Sequence, residues 1–241
     1  DELVMLADGM MVARGDLGVE MQPEDVPPIQ RKIVTACRRV GKPVVVATQM
    51  LESMITNPVP TRAESADVAR AVYDGADAVM LSAESAAGQY PREAVAMMDR
   101  IIRETEQSSH YHQSAAVGDR EATGSDAISA AARQVAETVD AKAIVTHTRS
   151  GRTAQRASRE RPQVPIIMIT PEVDIARQHT IVWGLHCVVS PDMPSLDAVF
   201  DEGGRIAVDE GFAQKGDQVV LTAGVPFGQV GQTNLLRLLR V

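Results

Sequence analysis

Gly9-Met10-Met11-Val12-Ala13 is the first of three short apolar runs, followed by Pro43-Val44-Val45-Val46-Ala47 and Asp77-Ala78-Val79-Met80-Leu81. They start at 9, 43 and 77, so both intervals are 34 residues. Short, unbroken runs rich in Val suggest strands buried on both faces, as in a parallel sheet. Helical patterns fill the intervals. Pro27-Pro28 suits a helix start, Ile29, Ile33, Cys37 and Val40 recur at helical spacing, and Gly41 ends the pattern. Thr61 with Glu64 three residues on forms a capping box ahead of Val68, Ala69, Val72 and Tyr73. After Pro91, the positions Ala94, Val95, Met98, Ile101 and Ile102 make another apolar face. Residues 1–107 therefore read as β-α-β-α-β-α. That is either a piece of a (β/α)8 barrel or half of a doubly wound sheet.

Residues 108–124 are polar, lack periodicity and read as a linker. Beyond them Ser125 is placed to cap a helix carrying Ile128, Ala131, Ala132, Val135 and Val139. Strands are predicted at 143–146, 165–170, 187–189 and 218–222, with helices between the first three, and a last strand within 233–241. The second unit, 125–241, is thus a compact α/β domain. The 241 residues are 44% hydrophobic and 23% charged, which excludes a disordered or low-complexity chain. Aromatics are only 3%, so aliphatic side chains and the 11 Met must fill the cores. Lys and Arg number 24 against 32 Asp and Glu, a net charge of −8, and no segment joins basic to aromatic residues, which argues against nucleic-acid binding. Cys37 and Cys187 lie in apolar runs and read as reduced, buried thiols of a cytoplasmic protein. No stretch reaches the roughly 20 apolar residues of a membrane span, and no signal peptide is evident. The chain opens Asp1-Glu2-Leu3 without Met, in a helical pattern, and reads as cut from something longer.

Polar residues cluster where the first three strands end: Arg14-Gly15-Asp16 after the first, Thr48-Gln49 after the second, Ser82-Ala83-Glu84 after the third. In a parallel α/β fold those ends face one another around the site. Asp16 follows a glycine, where backbone can approach a ligand and expose its N–H groups. A lone carboxylate there suits a hard cation such as Mg2+. Thr48 offers a hydroxyl; Ser82 and Glu84 offer a hydroxyl and a carboxylate. The plainer alternative makes Asp16 a turn residue, Thr48 an N-cap and Glu84 a solvated loop charge.

In the second unit, Thr146-His147-Thr148-Arg149-Ser150-Gly151-Arg152-Thr153 lies between a strand and a helix. Four hydroxyls, a glycine and a helix N-terminus can cradle a phosphate, with Arg149 and Arg152 adding charge. An ordinary capped turn is the alternative. His147 reads as a loop residue and Trp183 as packing. Among the five His, His110 and His112 form a pair that is weak evidence for a metal.

The run from Ala7 through Arg14-Gly15-Asp16-Leu17-Gly18 to Glu20, the run from Lys42 through Ala47-Thr48-Gln49 to Met54, the run Pro60-Thr61-Arg62-Ala63-Glu64 to Ala69, and Asp77 through Ser82-Ala83-Glu84-Ser85 with Gly88-x-Tyr90-Pro91 together resemble the last barrel strands of pyruvate kinases. Trp183-Gly184, Gly216-Asp217 and Thr233-Asn234 resemble that family's C-terminal domain. The resemblance implies a partial TIM barrel followed by an α/β effector domain with a mostly parallel sheet. It implies transfer of the phosphoryl group of phosphoenolpyruvate to ADP, giving pyruvate and ATP, with Mg2+ or Mn2+ and K+. It makes Asp16 a metal ligand and the backbone of Ala13, Arg14 and Gly15 the pocket for the substrate carboxylate. Thr48 becomes the residue that protonates the enolate, with Ser82 and Glu84 on the rim of its proton network. The turn of Thr146, Thr148, Arg149, Ser150, Gly151, Arg152 and Thr153 becomes the site of a phosphorylated allosteric effector. A cytoplasmic homotetramer is implied for the full enzyme. Ala83 and Ser85 stand where the family often has Gly and Thr. The family's phosphoryl-stabilising lysine and second carboxylate ligand of the metal belong to a strand expected upstream of Asp1, as do the K+ ligands. Residues 1–107 are accordingly expected to fold properly only beside further strands, and a non-catalytic effector or oligomerisation module is the competing reading. Another phosphoenolpyruvate- or pyruvate-handling barrel, such as a lyase, is disfavoured by the second domain.

Overall fold

The computed structural model describes residues 2–109, 111, 123–225 and 232–241. The chain divides into two compact units, 1–118 and 119–241. Most of the predicted linker lies outside the described residues.

The first unit runs α1 (Glu2–Leu6), β1 (Met10–Ala13), α2 (Arg14–Glu20), a 3-10 turn (Pro23–Asp25), α3 (Val26–Val40), β2 (Val44–Ala47), a second 3-10 turn (Glu52–Ile55), α4 (Arg62–Asp74), β3 (Ala78–Met80), α5 (Ala83–Ala86) and α6 (Pro91–Glu106). The three apolar runs are parallel strands in the order β1-β2-β3, with Met10 opposite Val44 and Val45 opposite Ala78. Burial on both faces holds best for the central strand: Val44, Val46 and Ala47 are wholly buried, whereas Met11 on β1 is half exposed. Methionine does replace aromatics here, since Met50, Met54 and Met98 join Val12, Val34, Val46 and Val68 in the core. Cys37 is buried and free, and burial pushes its thiol up to about 11, so it acts as a small apolar side chain.

The predicted stripe of α3 packs on the core through Ile33, Cys37 and Val40, and its most buried line adds Gln30 and Val34. Gln30, Val34 and Cys37 are its buried residues, with Ile29, Ile33 and Val40 on the flank. Gly41 closes the helix in the left-handed region, as expected. Besides the short α5 after β3, two helices were not foreseen in the sequence. One is α2, which begins immediately at the end of β1. The other is α10 in the second unit, described below. Ser108 and Tyr111, read as linker, are tied to the first unit: the Ser108 hydroxyl lies 3.1 Å from that of Tyr73 and accepts the Tyr111 N–H.

The second unit runs α7 (Gly124–Thr138), β4 (Ile144–His147), α8 (Arg152–Arg159), β5 (Ile166–Thr170), α9 (Val173–His179), β6 (Leu185–Val189), α10 (Leu196–Asp209), β7 (Gln218–Ala223) and β8 (Leu235–Arg240). The sheet order is β6-β5-β4-β7-β8, parallel except that β8 is antiparallel to β7. Alternate residues serve opposite faces. Val145, Ile167 and Leu221 pack with Val199, Phe200 and Ile206 of α10, while Ile144, Ile166 and Val220 pack with Ala132 and Ala136 of α7 and Ala157 of α8. The sequence hides α10 behind Gly203-Gly204, which read as helix-breaking. Gly203 is there because a Cβ would lie 2.8 Å from Leu221 Cδ1, so glycine lets the helix sit close to the sheet. The cap of α7 is Thr123, whose hydroxyl accepts the Asp126 N–H, and not Ser125. Ser125 instead accepts the N–H of Thr233. No helix among the described residues is long and apolar enough to cross a membrane.

The capping box of α4 does more than start a helix. The Glu64 carboxylate accepts the Thr61 N–H and hydroxyl at 2.7 and 2.8 Å, and the Ser53 N–H and hydroxyl at 2.7 and 2.6 Å. Burial tends to raise its pKa, but the bonds from Ser53 and Thr61 prevail and hold it below the ordinary carboxylate value. Such a group stabilises the fold above its unfolded pKa of about 4.3, and the contribution fades as pH falls through the lower folded value. Glu64→Gln is therefore expected to cost about 1–2 kcal/mol near neutral pH in urea unfolding, and the difference from the unmodified chain is expected to shrink below pH 4.

Candidate functional site

The ends of β1 and β2 are joined through Arg14. Its guanidinium, only 9% exposed, donates from Nη2 to the carbonyls of Thr48 at 2.7 Å and Gln49 at 2.9 Å, and from Nε to Thr48 at 3.2 Å. Nη1 pairs with Asp67 on α4, and Nη2 also touches Met50 Sδ at 2.9 Å. The carbonyls need this hold because Thr48 and Gln49 both lie in the left-handed region, with φ of 69° and 54°. That backbone costs a β-branched threonine energy, and it persists where surrounding contacts enforce it. The turn aims Thr48 at the first turn of α2, where its Oγ1 accepts the Gly15 N–H at 2.8 Å. An N–H donated to a hydroxyl oxygen leaves the hydroxyl proton to be given elsewhere, and steadies any negative charge left behind.

Ala13, Arg14, Gly15 and Thr48 are thus brought together, and Asp16 is exposed in the first turn of α2, where helix polarity favours a carboxylate. Two expectations need correcting. Residues 14–20 form a helix and not a loop, and the Gly15 N–H is already taken by Thr48, so it is not open to a ligand. Glu84 is also no rim charge. It is 2% exposed, and its two oxygens accept the backbone N–H groups of Leu51 at 3.1 Å and Ser82 at 2.7 Å. It stitches the end of β3 to the segment after β2, and so supports the Thr48 turn from the other side. Ser82 is half-buried beside it.

In the second unit the predicted cradle divides. Thr146 is wholly buried within β4, with Oγ1 3.4 Å from the Ile167 carbonyl, and is a sheet residue and not a ligand. The Thr148 hydroxyl accepts the Gly151 N–H at 3.0 Å, and the Thr153 hydroxyl lies 2.9 Å from that of Thr233, so both frame the turn from within. Ser150 is half-buried, Arg152 is exposed, and Arg149 is exposed and paired with Asp192 at 2.7 Å. These three are the groups that can meet a solute. Gly151 is the N-cap of α8 with φ of 78°. His147 is buried, and burial lowers its pKa, with Asp192 acting against the shift and Arg149 with it. Trp183 packs under the Arg161 guanidinium, 4.7 Å from the ring centroid. Local sequence carried no sign of Asp67 as the anchor of Arg14, nor of His179, whose ring abuts Gly151. Both contacts join residues distant in the chain.

Residues 1–95 match the family model "Pyruvate kinase, barrel domain", and residues 126–239 match "Pyruvate kinase, alpha/beta domain". A pyruvate kinase of Methylorubrum extorquens is 52% identical over 240 residues, which cover 99% of this chain and 50% of that protein. One of Agrobacterium vitis is 49% identical over 98% of this chain and 50% of its own length. One of Geobacillus stearothermophilus is 47% identical over 98% of this chain and 41% of its own length. The chain spans about half the length of the curated relatives it matches.

Arg14 makes its own prediction. Arg14→Leu leaves Asp67 and two strained carbonyls without their donor, and is expected to cost about 2–4 kcal/mol in chemical unfolding and to speed amide exchange at Met50 and Leu51. Asp67→Asn should cost only about 1 kcal/mol, because that side chain is one-third exposed. Equal effects would show that the pair, and not the carbonyl clamp, carries the energy.

Proposed function

The chain belongs to the pyruvate kinase family, and on that footing we propose that it serves phosphoryl transfer from phosphoenolpyruvate to ADP, giving pyruvate and ATP in glycolysis. The supporting observation is the clamp that Arg14 applies to the Thr48 turn, which sets a threonine hydroxyl on the Gly15 N–H, the residue before Asp16. We assign 1–107 to the catalytic barrel and 125–241 to the effector domain.

Asp16 would hold Mg2+ or Mn2+. A single exposed carboxylate suits an ion that keeps several waters and takes further oxygens from substrate. Among the described residues no group of three His, Cys, Asp or Glu could hold a metal. When bound, the ion would offset the negative charge of the phosphoryl and enolate oxygens. The backbone of Ala13 and Arg14 would line the carboxylate pocket, with the Gly15 N–H spent on Thr48. Thr48 gives its proton to the enolate carbon, while the Gly15 N–H steadies the oxygen it leaves. Ser82 and Glu84 position this turn. K+ is required by the same reading, with no ligand assigned in this chain. The turn 148–153 takes a phosphorylated effector, a sugar phosphate or a nucleotide monophosphate, through Arg149, Ser150, Arg152 and the N-terminus of α8. The full enzyme works as a cytoplasmic homotetramer.

A second reading, an effector-binding or oligomerisation module without catalysis, is favoured by the five-stranded sheet of the second unit, covered on both faces, against three strands in the first. One experiment separates them. With Mg2+ and K+, the chain joined to the upstream barrel strands that the resemblance implies is expected to speed deuterium exchange into the methyl group of pyruvate, a step that needs neither ADP nor the phosphoryl group. Thr48→Val is expected to slow it by about 10²–10⁴-fold, the usual worth of a positioned acid–base group. Exchange indifferent to Thr48→Val would remove Thr48 from the chemistry. Absence of exchange, with saturable effector binding lost in Ser150→Ala/Thr153→Ala, would support the second reading.

A further inference from the structure

His179, the last residue of α9, is 5% exposed and lies against the cradle of the second unit. A Cβ at Gly151 would stand 2.0 Å from its Nε2 and 2.2 Å from its Cε1, so the imidazole fills the space that any side chain at 151 would need. Nδ1 is 2.7 Å from the Ile175 carbonyl. A carbonyl only accepts, so Nδ1 keeps its proton in either state of the ring, and Nε2 is the nitrogen that gains or loses one. Nε2 is buried without a hydrogen-bond partner. Thus a basic nitrogen sits unpartnered behind the N-cap glycine of α8, while the first-turn N–H groups of that helix, Ser150, Arg149 and Arg152 lie on the same turn.

We propose that His179 couples anion binding to protonation: an oxyanion in the 148–153 turn supplies the counter-charge that protonated Nε2 lacks, so the anion binds more tightly as pH falls. The inference rests on the effector-site reading above and adds its regulation. The ligand class is a phosphate monoester or another compact dianion. Burial lowers the pKa of His179, with the bond to Ile175 acting against the shift. The ring is therefore neutral in the empty turn at neutral pH and is charged only when something compensates it. Two opposite charges separated by about one peptide, at an effective dielectric near 20, are worth roughly tenfold in affinity once salt screening is allowed for. The other ionisable groups on the surrounding elements are His147, Arg149 and Arg152 on the turn, Arg156 and Arg159 further along α8, Glu172, Asp174 and Arg177 at α9, and His186 and Cys187 on β6; β5 has none. Arg149 is paired with Asp192, and His186 with Glu210. His147 is the group that could imitate the effect, so it serves as the control.

Sulfate is the probe, because it remains a dianion throughout the range and adds no titration of its own. Calorimetry on the 241-residue chain at constant ionic strength is expected to show sulfate binding about tenfold tighter at pH 5.5 than at pH 8. His179→Gln should flatten that dependence, and His147→Gln should keep it. By reciprocity, saturating sulfate should raise the ring pKa of His179 by about one unit in an NMR titration of the unmodified chain. This measurement decides the matter even if His179→Gln does not fold. An unchanged His179 titration, or the same pH dependence in His179→Gln, would overturn the coupling and leave the anion site standing. No sulfate binding at any pH would overturn the effector-site reading and the coupling with it.

Discussion

The first unit depends on one buried cation. Arg14 stands where β1 becomes α2, and its guanidinium reaches the backbone carbonyls that follow β2 and the carboxylate of Asp67 on α4. Two consecutive βα units, β1 with α2 and β2 with α4, are pinned at one point. A guanidinium suits this because its donors are arranged as a planar fork, so carbonyls and a carboxylate can be bonded together. The desolvation cost of a buried charge is offset only if nearly every donor is used. The same hold makes the left-handed backbone of Thr48 and Gln49 tolerable, and that backbone is what turns a strand-end threonine sideways to meet Gly15. Remove the clamp and extended backbone becomes the cheaper course, which would carry the hydroxyl away from Gly15.

Much of this was legible because the relevant signals are local. Runs of Val at a fixed interval located β1, β2 and β3, and Thr61 with Glu64 marked the start of α4. What escaped was set by tertiary contact. Residues 14–20 contain two glycines, which weaken a helical reading, yet α2 forms with Arg14 anchored as its first residue. Gly203 and Gly204 masked α10 in the same way, because the value of Gly203 appears only when the helix lies against Leu221 and Val145, and Gly204 lies against Val241. The stripe of α3 was read without Gln30, which is polar by type but faces inward with its amide 3.4 Å from Asp74.

The candidate sites show the same division. Which strand ends carry polar residues can be read from order alone, but whether a polar atom faces a solute or the protein cannot. Glu84 and Thr146 are of the right chemical type at the right places, and both spend their oxygens within the fold. Asp16, Ser150 and Arg152 keep some exposure. Carboxylates and hydroxyls beside a site are as often the frame as the contact, since a turn that must present backbone N–H groups has to satisfy the rest of its own polar atoms.

That distinction gives Gly151 its meaning. A glycine at an N-cap in the left-handed region is ordinarily accounted for by backbone freedom alone. Here the space that its missing side chain leaves is filled by His179, so the residue does two things: it permits the turn and admits an ionisable ring to within contact of the cradle. A purely structural filler would serve as well if it were apolar, and it would not leave a buried nitrogen unbonded. On the proposed coupling, an imidazole there is costly while its Nε2 has no partner, and a negative charge in the turn would offset that cost. The frame of the second site thereby contains the one kind of group whose charge can change under physiological conditions, whereas the frame of the first, built on arginine, has a charge that cannot.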